Sequence, residues 1–362
     1  MTAMTKKHVP LPLVGMNEGK VLAGPETIHV DVTNSCNTNC ITCWDHSPLL
    51  TLGRKSEWKR RRIDAAALEE LLADACSLGG LRAVILSGMG EPFTHPDIYR
   101  MIEVVKRRGL HLTIITNLVA ADAERVLELG VDQLLIGVHG ATQGAYEAFH
   151  PSFRNGEWDR LLAMLARFRE AGRRFKHVQV VCEVNADELV DMVRFASRYD
   201  AFALNFKLAS LRGGTEAARI TDAQRARLVR ELVPEARRVA EAHEVTTNLD
   251  VFAAQLEAGG EATAPIDEVG CFIGYTYARV LVDGTVLYCC NTEVVVGNLA
   301  AARFAELWDG ARWNELRARM RRGEYFPSCA QCGKINENVK LRKRFAKAYG
   351  EERARAVTGG RS

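Results

Sequence analysis

The sequence predicts an α/β chain: a partial, TIM-like (β/α)6 barrel followed by a small C-terminal domain made of a β-hairpin and helices. Three observations predict it. Six short β-rich runs alternate with segments of helical period from about residue 26 to about 208, the pattern of parallel strands joined by crossover helices. Several of these runs alternate apolar and polar residues, so each strand offers an apolar face to covering helices and a polar face to an interior. After about residue 250 the alternation stops, and a hairpin pattern and a basic helical stretch follow.

The runs are TIHVDVT (27–33), LRAVILS (81–87), HLTIITN (111–117), QLLIGVH (133–139), HVQVVCEVN (177–185) and FALNFKLAS (202–210). In the first, Ile28, Val30 and Val32 share one face, and His29, Asp31 and Thr33 share the other. In the last, Leu204, Phe206 and Leu208 oppose Asn205 and Lys207. In the fifth, parity places Glu183 and Asn185 inward and turns Cys182 toward the covering helices. Segments such as DAAALEELLADACSLGG and EWDRLLAMLARFREAG supply those helices; Cys76 is expected in the core with Leu68, Leu71, Leu72 and Ala75. A structural barrel fills its interior with branched aliphatics, so polar inward faces predict a ligand-filled one. Beyond residue 250, YARVLVDGTVLYCC (277–290) reads as a hairpin with Asp283-Gly284 as a two-residue turn. The expected organisation is an N-terminal arm (1–25), the barrel (26–250), a cysteine-bearing domain (251–335) and a basic helical tail (336–362).

The 362 residues exceed one ordinary core. A net charge of +3 gives no footprint for nucleic acid. Pro10 and Pro12 interrupt the only candidate signal peptide, and no stretch has the apolar length of a membrane span. Ten cysteines without an export signal favour metal binding or catalysis over disulfides. The expected location is the cytoplasm.

Cys36, Cys40 and Cys43 have the spacing CxxxCxxC and directly follow the first strand, at the rim where barrel active sites sit. Soft thiolates favour iron–sulfur clusters, zinc or copper(I). A cubane has four irons, so three thiolates leave one iron open. A zinc knob with a distant fourth ligand is the alternative. The motif and its context resemble the radical S-adenosylmethionine (SAM) enzymes. The second strand ends in Gly88, Met89, Gly90, Glu91 and Pro92, similar to that family's Gly-Gly-Glu-Pro segment, which meets SAM's amino group. Thr116 and Asn117 end the third strand, Gly137 lies on the fourth, and Asn185 follows the fifth, each at a position where relatives contact SAM. The resemblance implies a 4Fe-4S cluster bound to SAM, cleaved to a 5′-deoxyadenosyl radical, and a reducing partner such as flavodoxin or ferredoxin. The chain departs from the pattern at Gly137, His139, Tyr146 and His150, where relatives carry Ser, Asp, His and Arg.

Cys271, Gly284, Cys289, Cys329 and Cys332 form a second pattern, Cys-x12-Gly-x4-Cys…CxxC. It resembles the twitch form of the SPASM domain, which implies one auxiliary 4Fe-4S cluster; a four-cysteine zinc site is the alternative. The implied reaction is hydrogen abstraction from a small polar substrate, with oxidation of a sugar- or cyclitol-like alcohol as the reading. His139, Glu183 and Lys207 are the expected catalytic polar residues at the barrel mouth. The rivals are sugar epimerisation with Cys290 as hydrogen donor, peptide maturation, and a non-catalytic iron–sulfur electron carrier. The basic stretch RKSEWKRRR (54–62) reads as a solvated helix start or as a docking site for an acidic electron donor or a phosphate.

Overall fold

The computed structural model describes residues 9–259 and 264–359; the start of the arm and the last three residues of the tail lie outside them. Ten strands occur among the described residues: β1 (Thr27–Asp31), β2 (Ala83–Ser87), β3 (His111–Thr116), β4 (Gln133–Gly137), β5 (Lys176–Val181), β6 (Ala203–Leu208), β7 (Thr246–Thr247), β8 (Tyr277–Val280), β9 (Thr285–Leu287) and β10 (Val295–Asn298). The first six match the six predicted runs. The fold class is the expected one: a parallel β/α sheet of the partial-barrel type, followed by a C-terminal region of strands and helices. The chain divides into two compact units, and β1 and β2 begin in one and end in the other.

The unit formed by residues 31–65 and 85–263 carries β3 to β7 in sequence order, all parallel. Its core joins the helix Leu189–Arg198 to β6 and to the helices Val233–Ala242 and Leu249–Glu257. Leu204 and Phe206 are fully buried there, as strand alternation predicts. Asn248 clamps the edge: its side chain accepts from Phe206 N at 2.7 Å and donates to Phe206 O at 2.9 Å.

The fifth strand has the opposite parity to that expected. Val181 joins the helix-covered core, and His177 on the same face lies 6.0 Å from Phe195 of the covering helix. Val180 and Cys182 instead pack with Ile41, Phe149 and Ala218, beside Cys40. Regular strand ends at Val181, and residues 183–185 form a turn; parity counted back from Glu183 and Asn185 therefore misleads. Cys76 is exposed rather than in the core. At 100° per residue it lies about 70° off the centre of the Leu68–Leu72–Ala75 stripe, at its edge.

The unit formed by residues 1–30, 66–84 and 264–362 pairs β1 with β8 in parallel and continues antiparallel through β9 to β10. The hairpin loop is longer than predicted. Leu281 N bonds Thr285 O and Gly284 N bonds Leu281 O, which leaves three residues in the loop, with Gly284 at φ +79°. That is the left-handed position such loops require. Trp308 and Trp313 pack edge-on at 4.4 Å, and the Arg317 guanidinium, 4.5 Å from the Trp308 ring centre, donates to Gly274 O and Trp308 O. The arm holds a helix, Leu11–Glu18, which Pro10 and Pro12 begin rather than prevent. The basic tail is two helices, Ile335–Tyr349 and Glu351–Ala356, broken at Gly350. Arg344 forks onto Glu26, and Arg353 binds Asn17. Among the described residues no helix is long and apolar enough to cross a membrane.

Candidate active site and second cysteine centre

Cys36, Cys40 and Cys43 lie on one irregular loop after β1. Cys43 N bonds Cys40 O at 3.0 Å, closing the CxxC half into a turn, and Ile41 N bonds Phe149 O at 3.0 Å. All three thiols are pushed up, first by burial: Cys36 to about 12, Cys40 well above its ordinary value, and Cys43 in the same direction. Cys40 is raised further by Cys36 and Cys43, so the three sulfurs share one neighbourhood. Soft donors that burial keeps protonated suit a metal centre, whose charge would ionise them. Among the described residues no three His, Cys, Asp or Glu side chains close around a single ion; a four-iron cubane, larger than one ion, holds its thiolates further apart.

The rim segment 88–91 crosses the start of this loop at backbone contact. Gly90 N bonds Thr33 O and Glu91 N bonds Ser35 O. A Cβ at Gly88 would lie 2.3 Å from Thr33 O, and one at Gly90 2.0 Å from Ser35 O. Both positions therefore require glycine, with half-buried Met89 between them. Glu91 is buried and its carboxylate ties three elements together. It accepts from Thr116 Oγ1 at 2.6 Å, Asn117 N at 2.7 Å and Phe93 N at 3.1 Å. Burial nevertheless pushes it up to about 7. Asn117 reaches back to the cysteine loop, donating to Asn37 Oδ1 at 2.8 Å. The structure thus brings Cys36, Gly88–Glu91, Thr116 and Asn117 into one bonded network. Asn37 carries no motif of its own; its position between two of the motif cysteines is its only signal in the sequence.

The departures at positions 137, 139, 146 and 150 are one packing unit. His139 has φ +62° and folds back over β4, so that a Cβ at Gly137 would lie 2.7 Å from its Nε2. Its ring lies 4.5 Å from Phe149 and 5.6 Å from His150, which in turn lies 4.4 Å from Tyr146. Val180 N donates to His139 Nδ1 at 3.0 Å, which leaves the proton on Nε2. Burial, then His150 and Lys207, hold this imidazole well below its usual range, so it is a neutral donor. Asn185 spends its amide on backbone: it donates to His139 O and Val180 O and accepts from Cys182 N. It fixes the left-handed turn at His139. Lys207 is exposed on β6, and Glu183 is exposed in the turn after β5. Trp44, one residue past the third cysteine, is 40% exposed and lies under Arg212, 3.7 Å from the ring centre.

In the other unit, Cys271, Cys289, Cys329 and Cys332 come together with Cys290. Burial, then Cys332, raises Cys271, with Cys329 and Cys290 adding to it; burial also raises Cys329 and takes Cys332 to about 11. Asn338 links two of the loops, accepting from Phe272 N at 2.7 Å with its amide 3.9 Å from Cys332 Sγ. Asn291 donates its backbone N–H to Cys289 Sγ at 3.4 Å and its side-chain amide to Ser328 Oγ at 2.7 Å. In the Cys289–Cys290 pair, hydrogen bonding raises Cys289 and lowers Cys290, with Lys334 and Arg279 assisting the latter. Four half-buried thiols on three tied loops fit a fully ligated cluster.

Comparison with known proteins finds a domain match over each of the two cysteine-bearing regions. Residues 30–196 match the Radical SAM superfamily, and residues 271–333 match SPASM, an iron–sulfur cluster-binding domain. The AdoMet-dependent heme synthase of Methanosarcina barkeri is 25% identical over 334 residues, 85% of this chain and 91% of that protein. The PqqA peptide cyclase of Gluconobacter oxydans is 29% identical over 126 residues, 34% of this chain and 33% of that protein. Among solved structures, SuiB of Streptococcus suis bound to S-adenosylmethionine has a TM-score of 0.62 at 16% identity, covering 91% of this chain and 74% of that one. With both its cysteine sets inside matched domains, the chain is a member of the radical SAM superfamily carrying a C-terminal SPASM-type iron–sulfur domain.

Proposed function

We propose that this enzyme oxidises a cofactor or cofactor precursor, with Cys36, Cys40 and Cys43 holding the SAM-cleaving site and Cys271, Cys289, Cys329 and Cys332 holding an electron acceptor. The observation that carries the reading is the pair of half-buried thiol sets, one of three and one of four. When bound, the SAM-ligated cluster supplies a 5′-deoxyadenosyl radical. Glu91, locked by Thr116 and Asn117, is the proposed acceptor of a hydrogen bond from the SAM ammonium once ionised. Gly88 and Gly90 let the rim backbone lie against the cysteine loop. His139 offers Nε2–H as a donor beside Gly137, where relatives carry Ser. After losing a hydrogen atom, the substrate sheds one further electron and a proton. Lys207, within electrostatic reach of His139, and Glu183 are the side chains proposed to handle that proton. The ten cysteines are all unpaired, in keeping with a reducing, cytoplasmic setting.

The substrate class rests on the heme synthase, the relative matched over nearly its whole length. The sugar or cyclitol alcohol expected from the sequence gains no support from the comparisons. Peptide modification is the second reading, favoured by the partial match to the peptide cyclase. The test is anaerobic incubation with SAM, dithionite and fractionated extract of the source cells, reading 5′-deoxyadenosine above the rate without extract. Stimulation by a tetrapyrrole- and cofactor-containing fraction supports the proposal. Stimulation by the peptide fraction alone, or by the sugar fraction alone, replaces it with the corresponding reading.

A further inference from the structure

Residues 54–62 carry six basic side chains and one acidic, while the rest of the chain has a slight acidic excess. This is not a loose charged loop. Asn34 N bonds Arg61 O at 2.9 Å, and Asn34 Nδ2 bonds Trp58 O at 3.1 Å. Arg62 bridges Thr33 antiparallel, and Ile63 N bonds Val32 O. On the far side of the cysteine loop, Trp58 lies 6.1 Å from the His46 ring and Arg54 binds Asp45 at 2.7 Å. The basic segment is thus stitched to the residues that precede Cys36 and to those that follow Cys43. Lys55, Arg60 and Arg62 remain exposed.

A second observation is independent of charge. Three of the eight large hydrophobic side chains exposed among the described residues, Trp44, Leu49 and Leu52, lie within nine residues of chain just before the basic segment. Leu52 is 88% exposed. Exposed apolar side chains next in the chain to a charged segment have the composition of a protein interface rather than of a solvated helix. A cavity of about 290 Å³ is lined by Cys36, Thr38, His46 and Lys59 among others, so the basic segment and the cysteine loop border one opening.

We infer that residues 44–62 are the docking surface for an acidic one-electron carrier protein of the flavodoxin or ferredoxin type, which feeds the site at Cys36, Cys40 and Cys43. The inference rests on reading that loop as the cluster site. The carrier loses one electron and the iron–sulfur group on the three thiols gains it; no bond forms or breaks in that transfer. Opposite charge speeds encounter and sets orientation, and the exposed leucines add contact once docked.

The test uses the anaerobically purified, cluster-loaded enzyme and an acidic bacterial flavodoxin. Calorimetric titration gives the Kd at low and high salt. Deoxyadenosine formation is then driven either by reduced flavodoxin or by dithionite. The K55E/R60E/R62E variant is expected to bind flavodoxin about tenfold more weakly, with a flatter salt dependence. Its flavodoxin-driven rate should fall about as far, while its dithionite-driven rate stays at the wild-type value. The charge-keeping K55R/R60K/R62K variant should bind as the wild type does, and L52S should weaken binding without changing the salt slope. Equal binding and equal flavodoxin-driven rates in the charge-reversed and wild-type enzymes overturn the inference. So does tight binding of an RNA oligonucleotide with flavodoxin left unbound. Absence of deoxyadenosine from the wild type with dithionite overturns instead the cluster reading beneath it.

Discussion

Gly137 and His139 should behave as a coupled pair. A Ser at 137 places its Cβ 2.7 Å from His139 Nε2, where ordinary contact begins at 3.4 Å. The ring must yield by roughly 0.7 Å. A flexible side-chain end would do so cheaply, but this ring is half-buried, lies against Phe149 and is bonded through Nδ1 to Val180 N. Gly137→Ser is therefore expected to cost about 1–3 kcal/mol by overpacking. His139→Asp keeps a residue tolerant of φ +62°, but it loses the ring contacts and costs about 2 kcal/mol. In the double variant the clash disappears, because Ser occupies space that the imidazole has vacated. The double change should cost less than the sum of the singles by about 1–2 kcal/mol. Urea unfolding of the four anaerobic, cluster-loaded proteins, followed by near-UV circular dichroism at constant m-value, measures this. Effects that add within about 0.5 kcal/mol, or a wild-type midpoint for Gly137→Ser, would refute the packing argument.

Two further outcomes follow from the rim. Because burial takes Glu91 to about 7, SAM affinity should fall by about tenfold per pH unit below that value, as the carboxyl must first lose its proton to meet an ammonium; Glu91→Gln should flatten the profile in equilibrium dialysis between pH 6 and 8. By the same linkage, a carboxyl raised in the folded state contributes stability that is present below its ordinary 4.5 and lost as pH rises through about 7, so the Glu91→Gln chain should show less loss of urea stability across that window. Gly90→Ala forces a Cβ to 2.0 Å from Ser35 O, a backbone atom that has no side-chain freedom to yield. It should displace the cysteine loop and halve the bound iron, whereas Gly53→Ala, which meets nothing within 4 Å, should leave the iron content unchanged.

Much of this site was legible in the sequence because local rules set it. CxxxCxxC lies in one loop, and Gly88 to Glu91 lie in one segment, so spacing alone conveyed their role. Strand alternation placed Leu204 and Phe206 correctly in the helix-covered core. It failed at β5, where the polar residues His177 and Gln179 are buried and the turn at 183–185 breaks the period. A polar residue marks an interior face only when nothing else can satisfy or tolerate it beneath a helix. Cys76 misled for a geometric reason, sitting at the edge of its helical stripe. The link between Gly137 and His139 was out of reach, since a left-handed turn held by Asn185 from another strand end creates it. So was the stitching of residues 54–62 to the cysteine loop, which depends on Asn34 and Trp58 across a chain separation of 24 residues.

The central claim is that two thiol sets hold two clusters and that only the first cleaves SAM. It is tested most directly by iron counting and deoxyadenosine formation in the Cys36→Ala/Cys40→Ala/Cys43→Ala variant, reconstituted anaerobically and supplied with SAM and dithionite. The wild type should hold about eight irons, and the variant about four, with no deoxyadenosine formed by the variant. Undiminished SAM cleavage by the variant, or a variant that holds zinc and no iron at its remaining thiols, would contradict the account.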